Sequence, residues 1–179
     1  MKISKRKFGI LFIFVVFILI ETISVATYHT AVLGEKSIKE ESMRMQIEQE
    51  EVFLKEEEQE VLNLINQYRK ENGLNELKPF SKLQEVSKLK GEDLVNNQYF
   101  SHTSPNLGTP FEMLQTNGID YKIAGENLAG NVTAKKAVEA WINSPLHKEN
   151  ILEEKFEYTG ICVIESPVYG KIYVQLFIG

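Results

Sequence analysis

The chain has 179 residues, 43% hydrophobic and 10% aromatic. That is enough apolar material for one ordinary globular domain and too much for a disordered protein. Its formal net charge of -5 is unevenly spread: residues 1–34 carry four Lys or Arg and one Glu, residues 35–60 ten acids against four bases, and the remainder fourteen acids against twelve bases. No basic face is clustered enough for a nucleic-acid footprint, so nucleic acid is not an expected partner.

The first segment, MKISKRKFGILFIFVVFILI, sets Lys2, Lys5, Arg6 and Lys7 ahead of an apolar run from Phe8 to Ile20. A basic flank held on the cytoplasmic side and an apolar run that partitions into the bilayer make an export segment. Two readings stay open for residues 1–34. A signal peptide would be cleaved after the small residues Ser24-Val25-Ala26; an uncleaved anchor would use the moderately apolar TISVATYHTAVLG to reach the roughly 20 residues a spanning helix needs. His29 then lies at the membrane interface. Either way the rest of the chain is expected outside the cytoplasm, at the cell membrane through this segment or secreted after cleavage. Cys162 is the sole cysteine, so no disulfide closes within the chain, which favours a bacterial cell envelope. Its apolar setting, GICVIES, predicts a buried side chain and not a reactive thiol.

Residues 35–60 contain no Gly or Pro and consist mostly of good helix formers. Ile47, Leu54, Val61 and Tyr68 recur every seven residues, but Glu50 and Glu57 occupy the alternate seam positions, which excludes a sustained coiled coil. The segment reads as an acidic, helical stalk or linker. From Val61 to Gly179 the pattern is that of a packed domain. Val61, Leu64, Ile65 and Tyr68 form one helical stripe that ends at Asn72-Gly73. Ser81 to Gln84 has a capping-box pattern and opens a helix expected to bury Leu83, Val86, Leu89, Leu94 and Val95. Thr109-Pro110-Phe111-Glu112 repeats the device with proline in the first turn. Thr133 caps a helix whose Ala134, Ala137, Val138 and Trp141 share a face, and a short helix follows with Ser144 as its cap and Pro145 as its first residue.

The C-terminal runs Ile161–Ile164 and Ile172–Ile178 are rich in β-branched and aromatic residues and read as a hairpin around SPVYGK. In the last run Ile172, Val174, Leu176 and Ile178 alternate with Tyr173, Gln175 and Phe177, so both faces are largely apolar, as in a sheet covered on both sides. Helices followed by a doubly covered sheet predict an α/β fold, a three-layer α/β/α sandwich.

Three polar clusters interrupt this pattern: FSHTSPNLG with His102, AGENLAG with Glu126 and Asn127, and SPLHKEN with His147 and Asn150. Two imidazoles and a carboxylate are the smallest set for an open divalent-metal site, and also for paired acid/base chemistry. The spacing holds none of them at a fixed helical interval, and no HExxH is present. A serine nucleophile finds no support, because no GxSxG elbow exists and turn or cap roles account for Ser104 and Ser144. Asn131-Val132-Thr133 is a formal glycosylation sequon whose threonine already has a capping role.

The ordered motifs FSHTSP, GENLA, W-x-x-SPLHKENIL, the strand TGICV and the last strand VQLF, together with NQYRKENGLNEL, resemble the CAP superfamily: SCP-like, or cysteine-rich secretory protein, antigen 5 and pathogenesis-related 1. The bacterial cysteine-poor branch is the most similar, and the resemblance runs from about Val61 to Gly179. It implies an α/β/α sandwich in which His102, Glu126 and His147 converge on one open cleft. It also implies metal capability there, zinc being the candidate ion, through His102, His147 and Glu126. Members of the animal type carry a second acidic residue after the helix tryptophan; here Ser144 holds that place and Glu139 does not match it, so the ligand count is three.

The expectation is therefore an extracytoplasmic, membrane-tethered binding module whose cleft takes an envelope glycan, lipid or protein, with Asn127, Gln175 and Ser144 as ligand-binding residues. The alternative is a metal-assisted hydrolase. There His102 and His147 hold the ion, Glu126 is general base or third ligand, and Asn127 or Gln175 orients a substrate carbonyl.

Overall fold

The structure, a computed structural model, describes Tyr28, residues 31–38, Glu41 and residues 52–179. The export segment up to Ala26, His29 and the middle of the stalk lie outside the described residues. The chain divides into two units, residues 1–49 and 50–179. In the first, the described residues are helical and exposed.

The second unit runs α1 (Glu56–Glu71), β1 (Lys78–Pro79), α2 (Ser81–Asn96), α3 (Pro110–Thr116), β2 (Ala124–Asn131), α4 (Ala134–Asn143), α5 (Pro145–Leu152), β3 (Tyr158–Ser166) and β4 (Gly170–Ile178). Its sheet has the order β1-β3-β4-β2. The short β1 is parallel to β3, and β4 is antiparallel to both of its neighbours. The hairpin is thus present, and β2 forms one edge of the sheet.

Strand parity sorts the layers, because alternate residues point to opposite faces. Ile161, Val163, Tyr173 and Phe177 face a core built with Val61 and Ile65 of α1, Ala137, Val138 and Trp141 of α4, and Ile151 of α5. On the other face α2 lies so close that a Cβ on Gly160 would stand 2.2 Å from the Leu83 carbonyl oxygen, and one on Gly91 would stand 2.8 Å from Cys162 Sγ. Both sheet faces are covered, as the apolar alternation of β4 requires. Cys162 is buried there, and burial pushes its thiol up to about 12.

The local signals act as their chemistry dictates, with three departures. Thr109 and Glu112 form a reciprocal capping box with Pro110 in the first turn, and Thr133 accepts from Lys136 N. Gly73, at φ 77°, ends α1 in the left-handed region that glycine tolerates, and Leu74 N closes the cap on Arg69 O. The first departure is at α2, where the cap position is Phe80 and no side chain caps it. Gln84 instead spends its amide on β3, accepting from Ile161 N at 2.8 Å and donating to Ile161 O. The second is the α2 stripe: Leu89 is exposed, while Ser87, Lys90 and Asp93 are buried.

The third concerns the stalk, expected to run to Glu60. Residues 52–55 are not helical, and α1 begins at Glu56. Glu58 is buried and accepts from Lys55 N at 2.9 Å and from Val163 N at 3.3 Å. Glu57 accepts from Lys171 and, at 2.6 Å, from the Tyr173 hydroxyl. These acids tie the first turn of α1 to β3 and β4. They are domain residues, and the acid-rich composition hid them.

Arg69, fully buried, joins α1 to the far end of α5. Its guanidinium donates to the carbonyls of Asn75 (2.8 Å), Ile151 (2.7 Å), Glu153 (2.9 Å) and Phe156 (3.2 Å). Carbonyls at a helix C-terminus lack intrahelical partners, and a fork of guanidinium donors suits several at once.

Candidate functional site

The site is built on the edge strand. In β2, Glu126 pairs with Leu176 and Asn127 with Gln175, so the Glu126 and Asn127 side chains leave opposite faces of the sheet. Glu126 enters the side covered by α2, Asn127 the side covered by α4 and α5. His102 arrives from the α2–α3 loop and His147 from α5. The two imidazoles meet with ring centroids 6.5 Å apart and planes tilted by 42°.

On the α2 side His102 Nδ1 lies 2.7 Å from Glu126 Oε1; the imidazole side chain is 54% exposed, whereas that of Glu126 is 2% exposed. The second carboxylate oxygen, Oε2, is buried without a hydrogen-bond partner. Burial pushes the Glu126 carboxyl above the ordinary range, against the opposing pull of the His102 bond and of the Lys90 ammonium. A buried carboxylate behind an exposed histidine orients the ring and fixes which nitrogen it presents. With Nδ1 engaged, Nε2 is left for a ligand.

On the α5 side the same arrangement recurs with weaker groups. Ser144 is the cap position of α5, yet its hydroxyl makes no cap bond to the backbone and lies 2.9 Å from His147 Nδ1. Burial, and then the neighbouring His102, lower the His147 imidazole below its usual value, so at neutral pH it is an uncharged donor or acceptor. The helix is fastened to β2 by an amide chain: Asn127 Nδ2 donates to His147 O at 3.0 Å, and Asn150 Nδ2 donates to Asn127 Oδ1 at 2.9 Å and to Glu126 O at 3.2 Å. Gly125 makes room, since a Cβ there would stand 3.0 Å from Asn150 Oδ1.

His102, Glu126 and His147 are thus brought together. Asn127 and Gln175, expected to hold a substrate, are both fully buried. Asn127 positions α5, and Gln175 lies inside the sheet, donating to Thr159 Oγ1 at 3.2 Å with its Oε1 buried and unpartnered. The parity of β2 and β4 turns both side chains to the face opposite Glu126, the face on which Asn127 reaches the His147 carbonyl. Ser144 is half-buried and supports His147.

Among the described residues no three His, Cys, Asp or Glu side chains are grouped as metal ligands. The two imidazoles stand side by side with Glu126 hydrogen-bonded to one of them, and catalytic zinc sites take three ligands from protein. Sequence reasoning missed the support beneath His102: Lys90, Asp93 and Tyr99. The helical spacing Leu83, Val86, Lys90, Leu94 runs straight through Lys90, a signal masked by its charge.

A sandwich with these motifs on the edge of its sheet defines a CAP domain. The model of the cysteine-rich secretory protein family, CAP, matches residues 62–177, and the chain belongs to that family. Among similar proteins, the uncharacterized protein YkwD of Bacillus subtilis is 41% identical over 123 residues, 68% of this chain and 47% of the relative. The uncharacterized membrane protein YlbC of the same organism is 35% identical over 122 residues, 68% of this chain and 34% of that one. The chain therefore spans about half or less of the length of these relatives. An extracellular protein containing an SCP domain from Bacillus anthracis superimposes with a TM-score of 0.62 at 34% identity, covering 68% of this chain and 40% of the other. An outer surface protein of Borrelia burgdorferi gives 0.65 at 26% identity, covering 72% and 96%. Homologues thus include extracellular and outer surface proteins and one membrane protein. No helix among the described residues is long and apolar enough to cross a membrane.

Proposed function

We propose that the protein is an extracytoplasmic, membrane-tethered binding module, in which residues 1–34 hold the chain at the membrane and the His102/His147 cleft recognises a cell-envelope component. One observation carries the reading. Two neighbouring imidazoles, with ring centroids 6.5 Å apart, are each fixed through Nδ1, by Glu126 and by Ser144, which leaves both Nε2 atoms for a ligand. Such a pair is preorganised to grip a polar ligand group, and preorganisation is what turns contacts into affinity. The export segment and the extracellular and outer surface relatives support the location.

The test is co-sedimentation of the detergent-solubilised full chain with purified peptidoglycan sacculi, alongside His102→Ala and His147→Ala, with zinc titration calorimetry in parallel. Binding by the parent that falls at least tenfold in both variants supports the reading; binding that is absent, or equal in all three, overturns it for this envelope component. Stoichiometric zinc bound by the parent and lost in both variants would replace it with the metal-assisted hydrolase. A mature N-terminus near Thr27 by mass spectrometry would contradict the tether.

A further inference from the structure

We propose that Lys90 and Asp93 are positioning residues for His102: two oppositely charged pegs, one helical turn apart on α2, that hold residues 99–106 so that the imidazole stands at the cleft. Its functional consequence rests on the reading of His102 as a ligand-binding group; the pegging is a matter of geometry alone.

The Lys90 side chain is fully buried, and its ammonium has three protons. All three have acceptors on the loop: the Tyr99 hydroxyl at 3.1 Å, Ser101 O at 2.8 Å and His102 O at 3.0 Å. The two carbonyls belong to the residue before the histidine and to the histidine itself. The ammonium also lies 5.0 Å from the centre of the Tyr99 ring. Asp93 holds the next stretch. It accepts from the Tyr99 hydroxyl, from Ser104 Oγ at 2.7 Å, and from Asn97 Nδ2 at 2.7 Å, with Asn106 Nδ2 at 3.5 Å. Ser104 Oγ in turn accepts from Asn106 N at 3.0 Å and Leu107 N at 2.8 Å. The Tyr99 hydroxyl accepts from Lys90 and donates to Asp93, which links the pegs with its single proton.

Beyond the pegs the loop has the paired Ser104 and Gly108 backbone bonds, Phe100 against Tyr169 with ring centroids 5.1 Å apart, and the bond from His102 to Glu126 itself. Ser101, His102, Thr103, Pro105 and Asn106 are exposed, and only Ser104 is buried, against Asp93. The chain enters the loop through Gln98 at φ 53°, a left-handed conformation that a side chain disfavours and that persists where surrounding contacts over-determine it. Lys and Asp are almost never fully buried unless paired. Here both are spent on the segment that carries one imidazole.

The experiment compares the full chain in detergent with Lys90→Met and Tyr99→Phe, reading long-range 1H–15N spectra of the imidazoles and amide hydrogen exchange. The parent is expected to show His102 protonated at Nδ1 against Glu126. In both variants that signature should be lost or averaged, and amides 101–107 should exchange roughly 5- to 10-fold faster. The His147 signals and the amides of α1 and β4 should be unchanged. Tyr99→Phe keeps the test alive if Lys90→Met does not fold, since it cuts only the link between the pegs. An unaltered His102 signature with unaltered loop exchange in a folded variant overturns the inference. If the signature is lost while sacculus binding persists, the pegging stands and the binding reading fails; if His102→Ala abolishes binding while Tyr99→Phe leaves the signature intact, the reverse holds.

Discussion

Replacing Arg69 by methionine keeps the volume of the buried side chain and removes every donor. Four carbonyls, those of Asn75, Ile151, Glu153 and Phe156, lose their partner at once. A hydrogen bond from a charged donor is worth about 1.5–3 kcal/mol, so simple addition would give an implausibly large loss. Two effects reduce it. Burying a guanidinium costs several kcal/mol, which the variant recovers, and the half-buried Glu153 carbonyl can rehydrate. The net expectation is a loss of about 3–5 kcal/mol, because each buried carbonyl left without a donor costs about 1–3 kcal/mol and the recovered desolvation offsets part of the sum. Against a typical domain stability of about 5–15 kcal/mol, and at roughly 3–6 °C per kcal/mol, the melting temperature should fall by about 10–25 °C. Arg69→Lys should be intermediate, since an ammonium keeps the charge but has three protons on a shorter, unforked tip. Urea denaturation by circular dichroism measures both. Arg69→Met within about 1 kcal/mol of the parent would refute the view that this side chain holds α1 to the end of α5.

A fragment starting at Val61 should be less stable than one starting at Val52, because it lacks Glu58 under Val163 N and the acceptor of the Tyr173 hydroxyl; we expect roughly 2–4 kcal/mol by urea denaturation, and equal midpoints would contradict the reassignment of Glu57 and Glu58 to the domain. Gly91→Ala drives a Cβ to 2.8 Å from Cys162 Sγ and should cost about 1–3 kcal/mol. Adding Cys162→Ala should recover part of that, with a coupling of about 1 kcal/mol in the double-mutant cycle; strict additivity would mean the two atoms do not compete for space. His147 has its folded-state pKa lowered, first by burial and then by His102. The unfolded chain therefore binds the proton first, and stability is lost as pH falls below about 6.5. Glu126, whose folded pKa is raised by burial, works the other way and costs stability as pH rises above about 4.5. The difference between the parent and His147→Gln, followed by thermal melts from pH 4 to 8, isolates the first trend: the gap should change only below about pH 6.5, and a constant gap would show that His147 titrates normally.

Much of the fold was legible because its signals are local. The hairpin could be read from two β-branched runs, the covered sheet from the alternation of β4, and two helix starts from Thr109 and Thr133. What stayed hidden depends on partners far away in the chain. Glu58 sits in an acid-rich stretch that reads as solvated, and only the backbone N–H of Val163 explains its burial. Gln84 looks like the second half of a capping box but serves β3. The Lys78–Pro79 strand is two residues long and takes its strand character from β3. At the site, His102, Glu126 and His147 stood out as polar residues in clustered motifs, whereas facing could not be read. Which face each side chain takes is decided by strand parity, which sends Glu126 one way and Asn127 the other. Lys90 and Asp93 were hidden by their charge inside a stripe expected to be apolar.

The two halves of the site are supported independently, and this shapes what the cleft can do. His102 rests on Glu126, with Lys90 and Asp93 beneath its loop. His147 rests on Ser144, with Asn127 and Asn150 fastening its helix to β2 and Arg69 closing the far end of that helix. No described hydrogen bond joins one set to the other except through β2 itself, where Asn150 reaches the Glu126 carbonyl. Each ring is therefore held by its own anchors, His102 on a loop pegged to α2 and His147 on α5, and the ring centroids stand 6.5 Å apart. Glu126 is buried behind His102, with burial pushing its carboxyl above the ordinary range, and the exposed partner of that pair is the imidazole.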